Sequence, residues 1–517
     1  MKSTIIILSI LLGQTISKGA IWQAANATVD AINAAIAKAS DGDTVTVPIG
    51  TVSWTSTLNV TKGITLKGAG TTDTNAGTVT DATVILDNLP RNSTQSAIIK
   101  ATLTPNQSFR LTGFTFRPGS ITPIANNGAI RLVGTCPSVR IDHCHFDQLY
   151  QANQIHTYSW LYGVIDHCVI DCRGSTFSVV VWHNTWGNQS RGDGSWAEPS
   201  YWGSGKFIFI ENNIIRNVEP GGKQTNACID AKMGGRYVAR YNKFYNTVGP
   251  DTHGTEGAPQ RSVRAFESYH NTFNWTFSAN GGQVRGGSVL FHDNIYLGAN
   301  LNAGPALAVY REFTPFAGFG GANGKNPWDL NDKNAPNGGI VPLGGTVKDP
   351  GLYATGKHAG ANGSPSLVVS GSPWKANQWI GYVVTNLDQP HGGNVPYCNA
   401  YVVSNTSNRI AFPPNTTTTF QPALAFNTGD RFEIRKVIAA IDQPGRGQGD
   451  LTSSTSTPAW PNQALDPIYS WNNKQMPDNT NVDVHSPSPS VRENQEYYNN
   501  TVKPGYIPYI YPHPLAK

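Results

Sequence analysis

Two segments carry residues able to move protons and hold charge: ACIDAK (227–232), with Asp230 and Lys232, and DTHG (251–254), with Asp251 and His253. An amine or an imidazole can remove a proton, and a nearby cation can offset the negative charge that builds up. On a uronate sugar this pairing amounts to β-elimination: a base takes the proton alpha to the carboxylate while positive charge neutralises that carboxylate. Lys232, His253, Arg264 and Arg285 are therefore the candidate catalytic residues. Lysine serves as a base only when its pKa is lowered, and His253, Arg261 and Arg264 are the cations that would lower it. A Ca2+ ion would neutralise instead if Asp230 and Glu256 supplied oxygen ligands; no other cofactor is indicated. Asp230 with Glu256 or Asp251 would equally serve a glycoside hydrolase, given carboxylates about 5–10 Å apart. A third option is a non-catalytic glycan-binding or surface-structural protein, which has no use for Lys232.

Candidate substrate-binding residues lie nearby. His156 sits in QIHTY (154–158) and His183 closes SVVVWH (178–183). The segment HNTWGNQSRGDGSWAEPSYWG (183–203) carries Trp186, Trp196 and Trp202. Exposed aromatic rings stack on sugar rings, which would make this loop a wall for a glycan; the competing reading is that the rings pack the loop onto its own protein. Arg261 adds a cation to the same set.

Residues so far apart in sequence act together only if the fold repeats. It does: RIDHCHF (140–146), VIDHCVI (164–170), FIENNII (209–215), VARYNKF (238–244), FESYHNTF (266–273) and LFHDNIY (290–296) share one pattern, with LTGFTF (111–116) as a degenerate copy. The pivots Cys144, Cys168, Asn213, Asn242, Asn271 and Asn294 are 24, 45, 29, 29 and 23 residues apart, the longest gap being one coil plus an inserted loop. No single repeat can bury its apolar face, but stacked coils can, with strands parallel at about 4.8 Å and like residues over like. A column of Asn then bonds from coil to coil. Working back from each pivot gives a shared sheet: GAIRLV (128–133), QIHTY, SVVVWH, ACIDAK, THG (252–254), GQVRG (282–286) and ALAVY (306–310). Alternation turns Ile229 and Ala231 inward and Asp230 and Lys232 outward. His156, His183, Lys232, His253 and Arg285 then share one outer face.

The stack needs its first coil covered. Thr28 is a suitable N-cap for a helix carrying Val29, Ile32 and Ile36 and ended by Asp41-Gly42. This helix, followed by GDTVTVPIGTVSW and LNVTKGITLKGAG, resembles the opening of the pectate-lyase-like superfamily of right-handed parallel β-helix proteins, and the resemblance covers roughly residues 26–310. It implies the fold and leaves the activity open, since the superfamily holds lyases, hydrolases, epimerases and binding proteins. Within it, KMGGRYVARYNKFYNTVGPDTHG (232–254) resembles the active-site coils of the alginate-lyase and chondroitin-lyase β-helix family. That resemblance implies Lys232 as the proton-abstracting residue and matches His253-Gly254 to the family's His-Gly. The family's catalytic Arg is Thr252 here, so Arg261, Arg264 or Arg285 must replace it for that chemistry to run.

The expected fold class is thus all-β: a right-handed parallel β-helix with an N-terminal capping helix and a small inserted C-terminal β module. Residues 1–20 read as a signal peptide, 21–372 as the β-helix with its cap and loops, 373–437 as the antiparallel module, and 438–517 as the last coils and an irregular cap. Residues 312–372 read as long loops, and LDPIYSWNN (465–473) as a return to a coil. In the module, Trp374 and Trp379 are either core or a carbohydrate contact, with core favoured. The leader implies a secreted or periplasmic protein, and no later stretch is apolar enough to span a bilayer. Only 14% of residues are charged and the net charge is +5, with no basic run, which argues against nucleic acid. Six cysteines match no disulfide framework or zinc motif. The expected partner is a polysaccharide, anionic by chemistry, handled by a monomer.

Overall fold

A chain whose repeats each bury too little must bury them against one another, and the parallel pairing shows how. The computed structural model describes residues 19–90, 96–121, 128–149, 153–173, 177–219, 229–253, 261–276, 281–298, 304–308, 352–371, 374–380, 382–392, 395–412, 423–436, 442–448, 464–486, 491 and 493–517. Among them, strands stack in three parallel columns of a solenoid-like, mostly β fold. The first column holds Leu58–Val60, Ile99–Leu103, the start of Ile130–Asp142, the start of Asn153–Asp166, Phe177–Trp182, Ile229–Lys232 and Asp251–Thr252. The second runs from Ile21–Gln23 through Phe109–Thr112, Ile208–Glu211, Arg236–Arg240, Ala265–Tyr269 and Ser288–His292 to Tyr497–Asn499. The third begins at Gly50–Trp54 and continues through His145–Asp147, Val169–Cys172, Ile214–Asn217, Lys243–Tyr245 and Thr272–Asn274 to Lys474–Gln475. One apolar core, from Val45 and Ile64 to Phe291 and Val484, fills the space between them.

The bend between the second and third columns is where the sequence pattern lies. Asn213 Nδ2 donates to Asn242 Oδ1 at 3.0 Å, Asn242 to Asn271 at 3.0 Å, Asn271 to Asn294 at 3.0 Å and Asn294 to Asn473 at 2.8 Å. Each amide also donates to a backbone carbonyl of an adjacent coil, as Asn242 does to Ile210 O at 2.8 Å. The residue before each pivot is left-handed: His143 (φ 50°), His167 (52°), Asn212 (57°), Tyr241 (56°), His270 (51°) and Asp293 (52°). In the degenerate copy Gly113 takes that position at φ 75°, where a Cβ would meet Gly68 O. Cys144 and Cys168 continue the column as buried thiols, and with Cys136, Cys172 and Cys398 they form no disulfide among the described residues; Cys228 lies outside the described residues.

The helix Val29–Lys38 starts at Thr28, whose side chain accepts from Ala31 N, and it buries Ile32, Ala35 and Ile36. Lys62 Nζ donates to three carbonyls at its C-terminal end, Ile36 O, Ala37 O and Ala39 O, where a cation also suits the helix dipole. The expected leader lies almost wholly outside the described residues, and no described helix is long and apolar enough to cross a membrane.

The antiparallel module begins earlier than residue 373. Leu352–Lys357 pairs with Arg431–Lys436, which pairs with Tyr382–Gly392, and Ser366–Val368 pairs with Arg409–Ala411. Residues 352–371 are therefore part of the module, whereas 312–351 lie outside the described residues. Trp379 is buried in the module's own core and Trp374 packs against it, so both rings serve packing. The coil expected at 465–473 is present, with Asn473 as its pivot.

The Pro- and Tyr-rich C-terminal segment does not stay with the last coils. It runs back along the outside of the second column: Tyr506 OH donates to Glu267 Oε1 (2.7 Å), Arg240 to Ile510 O (2.9 Å), His513 N to Glu211 Oε1 (2.9 Å) and Arg140 to Leu515 O (2.7 Å). Pro at 504, 508, 512 and 514 bars ladder bonding, so this segment is held by side chains instead.

Candidate functional site

The first column sets a grid of side chains on its outer face. Register places Arg131, His156, Val180, Asp230 and Asp251 in one row. The next outward row is Val133, Tyr158, Trp182 and Lys232. Between the rows Thr157, Val181, Ala231 and Thr252 are buried, and before the first row Ile155, Val179 and Ile229 are too, as alternation requires. His253 N donates to Ala231 O at 3.0 Å, which extends the ladder and sets His253 beside Lys232.

His253 Nδ1 lies 2.8 Å from Asp230 Oδ1. A carboxylate only accepts, so Nδ1 carries the hydrogen and Nε2 is left for a ligand. Burial works against the imidazolium, but the Asp230 charge outweighs it, and the His253 pKa lies above its usual value. Asp251 stands in register with Asp230, and its Oδ1 accepts from Thr252 N at 2.9 Å and Gln283 N at 3.0 Å. Burial pushes its pKa up to about 6, against the pull of Arg285 and His253. Arg285 N donates to Thr252 Oγ1 at 2.8 Å and its guanidinium to Gln283 Oε1, which keeps this half-exposed cation near Asp251. Lys232 Nζ lies 4.6 Å over the Trp182 ring, whose face attracts a cation. His156 is neutral: burial, then the charges of Arg131 and Lys232, hold its pKa well below the ordinary value.

Lys232, His253, Asp230, Asp251, Arg285 and His156 are thus brought together, and other expected members are not. His183 is fully buried, bonds Leu161 O at 2.9 Å, and burial lowers its pKa to about 3. Arg261 is held inside by Asp193 at 3.0 Å and Asp442 at 2.7 Å. Arg264 is buried against Asp466 at 2.8 Å and Glu198 O at 2.9 Å. Both guanidiniums are buried among these partners, away from the outer face. In the inserted loop, Trp186 and Trp196 are buried, the first stacked between Trp160 and Tyr201 and the second bonded through Nε1 to Gln448 O at 2.8 Å. Trp202 is half-buried, stacked on Phe207 at 5.9 Å. The loop's tryptophans pack it down, because a large insertion on a solenoid needs its own apolar anchor. Glu256 and Gly254 lie outside the described residues. No protein-family model matches this sequence, and a search of curated proteins finds no match.

Sequence reasoning passed over Trp182 and Tyr158, although the alternation that turned Lys232 outward turns them outward too. The described donors suit Ca2+ poorly. Asp230 Oδ1 is taken by His253, Asp251 Oδ1 by two backbone N–H groups, and Lys232 and Arg285 already bring positive charge. Beside the third column lies another set that sequence gave no sign of, Asp81, His145 and Asp147, with ligand atoms within 4.8 Å of one another. Arg117 bridges the two aspartates at 2.5 Å each, so a guanidinium does there what a metal would do.

Proposed function

We propose that the chain is a right-handed parallel β-helix of the pectate-lyase-like kind, with Val29–Lys38 as its cap, acting outside the cytoplasm as a polysaccharide lyase on a uronate-containing glycan. The observation that carries this reading is the His253–Asp230 pair at 2.8 Å with Lys232 on the same outer face. His253 Nε2 takes the proton on C5, the electron pair forms the C4=C5 double bond, and the C4–O bond breaks. Lys232 delivers a proton to the departing oxygen and regains one from water, while Arg285 offsets the carboxylate charge. This assignment reverses the resemblance, which makes Lys232 the base; it rests on His253, whose ring Asp230 orients through Nδ1.

The expected product is an unsaturated, ultraviolet-absorbing sugar end from an alginate, pectate or glycosaminoglycan substrate, with or without chelator. New reducing ends lacking that absorbance would sink the lyase reading. They would favour a hydrolase using Asp230 and Asp251, which stand in register on adjacent rungs.

The rate should also report His253. The base works only when neutral, so activity should fall about tenfold per pH unit below its raised pKa, which lies above the usual ~6.5. Asp230→Asn removes the charge that raises that pKa and should move the acid limb to lower pH. A limb that does not move assigns the titration to another group.

A further inference from the structure

We propose that His156, Trp182 and Lys232 form a carboxylate-binding subsite for the uronate next to the one being cleaved. The identity of the ligand rests on the lyase reading above; the cluster of unmet donors rests on its own geometry.

His156 is 1% exposed, with Arg131 Nη1 at 3.5 Å from its Nδ1. A guanidinium can only donate, so Nδ1 accepts and the ring hydrogen sits on Nε2. That Nε2 is buried and has no partner, and the same is true of Trp182 Nε1. The two rings meet edge to face with centroids 4.6 Å apart. A ring face is a weak substitute for an oxygen acceptor. Other ring nitrogens of the chain are also unpartnered, but these two stand side by side, where one acceptor on a ligand would satisfy both.

The third donor is Lys232, whose ammonium lies over the Trp182 ring and has no carboxylate among the described residues. Its row neighbours Val133, Tyr158 and Trp182 bring no acid, and Asp230, on the same strand, is turned to His253. Two neutral N–H groups and one ammonium, with no acceptor of their own, match a carboxylate. Tyr158 and Trp182, with ring centroids 5.4 Å apart, offer faces to the sugar that carries it.

Position decides which sugar. Trp182 stands one rung and His156 two rungs beyond the Lys232 strand, on the side away from His253, about 5–10 Å at one strand spacing per rung. The proton that His253 removes and that sugar's own carboxylate are on the same carbon. A carboxylate that far away therefore belongs to a neighbouring residue of the chain, and Lys232 lies between the two sugars.

The test separates binding from turnover. In the His253→Gln protein, calorimetry with trigalacturonate, trimannuronate and their carboxyl-reduced counterparts should show one uronate trimer bound and its reduced form bound far more weakly. Adding Trp182→Phe, or separately His156→Phe, keeps an aromatic ring and removes one donor. Each should weaken the uronate trimer about tenfold or more, the worth of a hydrogen bond to a charged group, and leave the reduced trimer unchanged. With His253 intact, Trp182→Phe should raise KM by a similar factor and leave kcat within about twofold, which a merely structural role would not do. Equal weakening of both ligand forms, no weakening in either variant, or no uronate trimer bound at all would overturn the subsite. Failure of the lyase reading looks different: the trimer binds through its carboxylates, yet wild-type protein yields no unsaturated product.

Discussion

His253→Gln should lower the rate of glycan cleavage by about 10²–10⁴-fold with little change in affinity for a uronate trimer. General base catalysis is worth that much, and glutamine can neither take the proton nor return it. Glutamine is the right replacement because Asp230 is buried beneath His253, with relative exposure of 4%, and a Gln amide can still donate to it. Alanine would leave that carboxylate partly uncompensated and confuse lost chemistry with lost stability. Steady-state rates followed by ultraviolet absorbance check the first half of the expectation and calorimetry the second. A loss smaller than tenfold would remove His253 from the base role and return it to Lys232, where the resemblance put it.

The largest structural effect is expected at the Asn column. Asn242 Oδ1 accepts from Asn213 N and Asn213 Nδ2, and its Nδ2 donates to Ile210 O and to Asn271 Oδ1. Asn242→Ala deletes all four bonds in a site that is 1% exposed. Each buried group left unsatisfied costs about 1–3 kcal/mol. The Asn213 N–H and amide and the Ile210 carbonyl are the ones least able to find water, so a loss of roughly 3–6 kcal/mol is expected from the same principle. Denaturant unfolding followed by circular dichroism would measure it. A loss under about 1 kcal/mol would mean that water fills the gap, and that the column is a consequence of the stack rather than a support for it.

The parts of the molecule that repeat were legible, and the parts that do not were not. Asn213, Asn242, Asn271 and Asn294 announce themselves because each coil must turn at the same place with the same bonds. The outward turn of Asp230 and Lys232 follows from strand alternation alone, and so does the shared face with His156. Arg261 was misplaced because its partners Asp193 and Asp442 are 68 and 181 residues away, each on an insertion with no period to read. The same holds for Trp186 and Trp196: an aromatic loop looks alike in sequence whether it faces sugar or packs beneath itself. The His156–Trp182 donor pair escaped notice because an unmet hydrogen bond is a property of a place, and no residue type advertises it.

The segment that returns along the second column alters how the molecule can come apart. A solenoid is close to one-dimensional, each rung leaning on its nearest neighbours, so its ends can fray without the middle. Here Tyr506, Ile510, His513 and Leu515 are tied to Glu267, Arg240, Glu211 and Arg140 in turn, lashing several rungs to one strip of chain. Peeling a late coil must first strip that lashing from earlier ones. Coils bound to one common strip should therefore separate together rather than one by one, so the least stable of them is held by its neighbours' ties as well as its own.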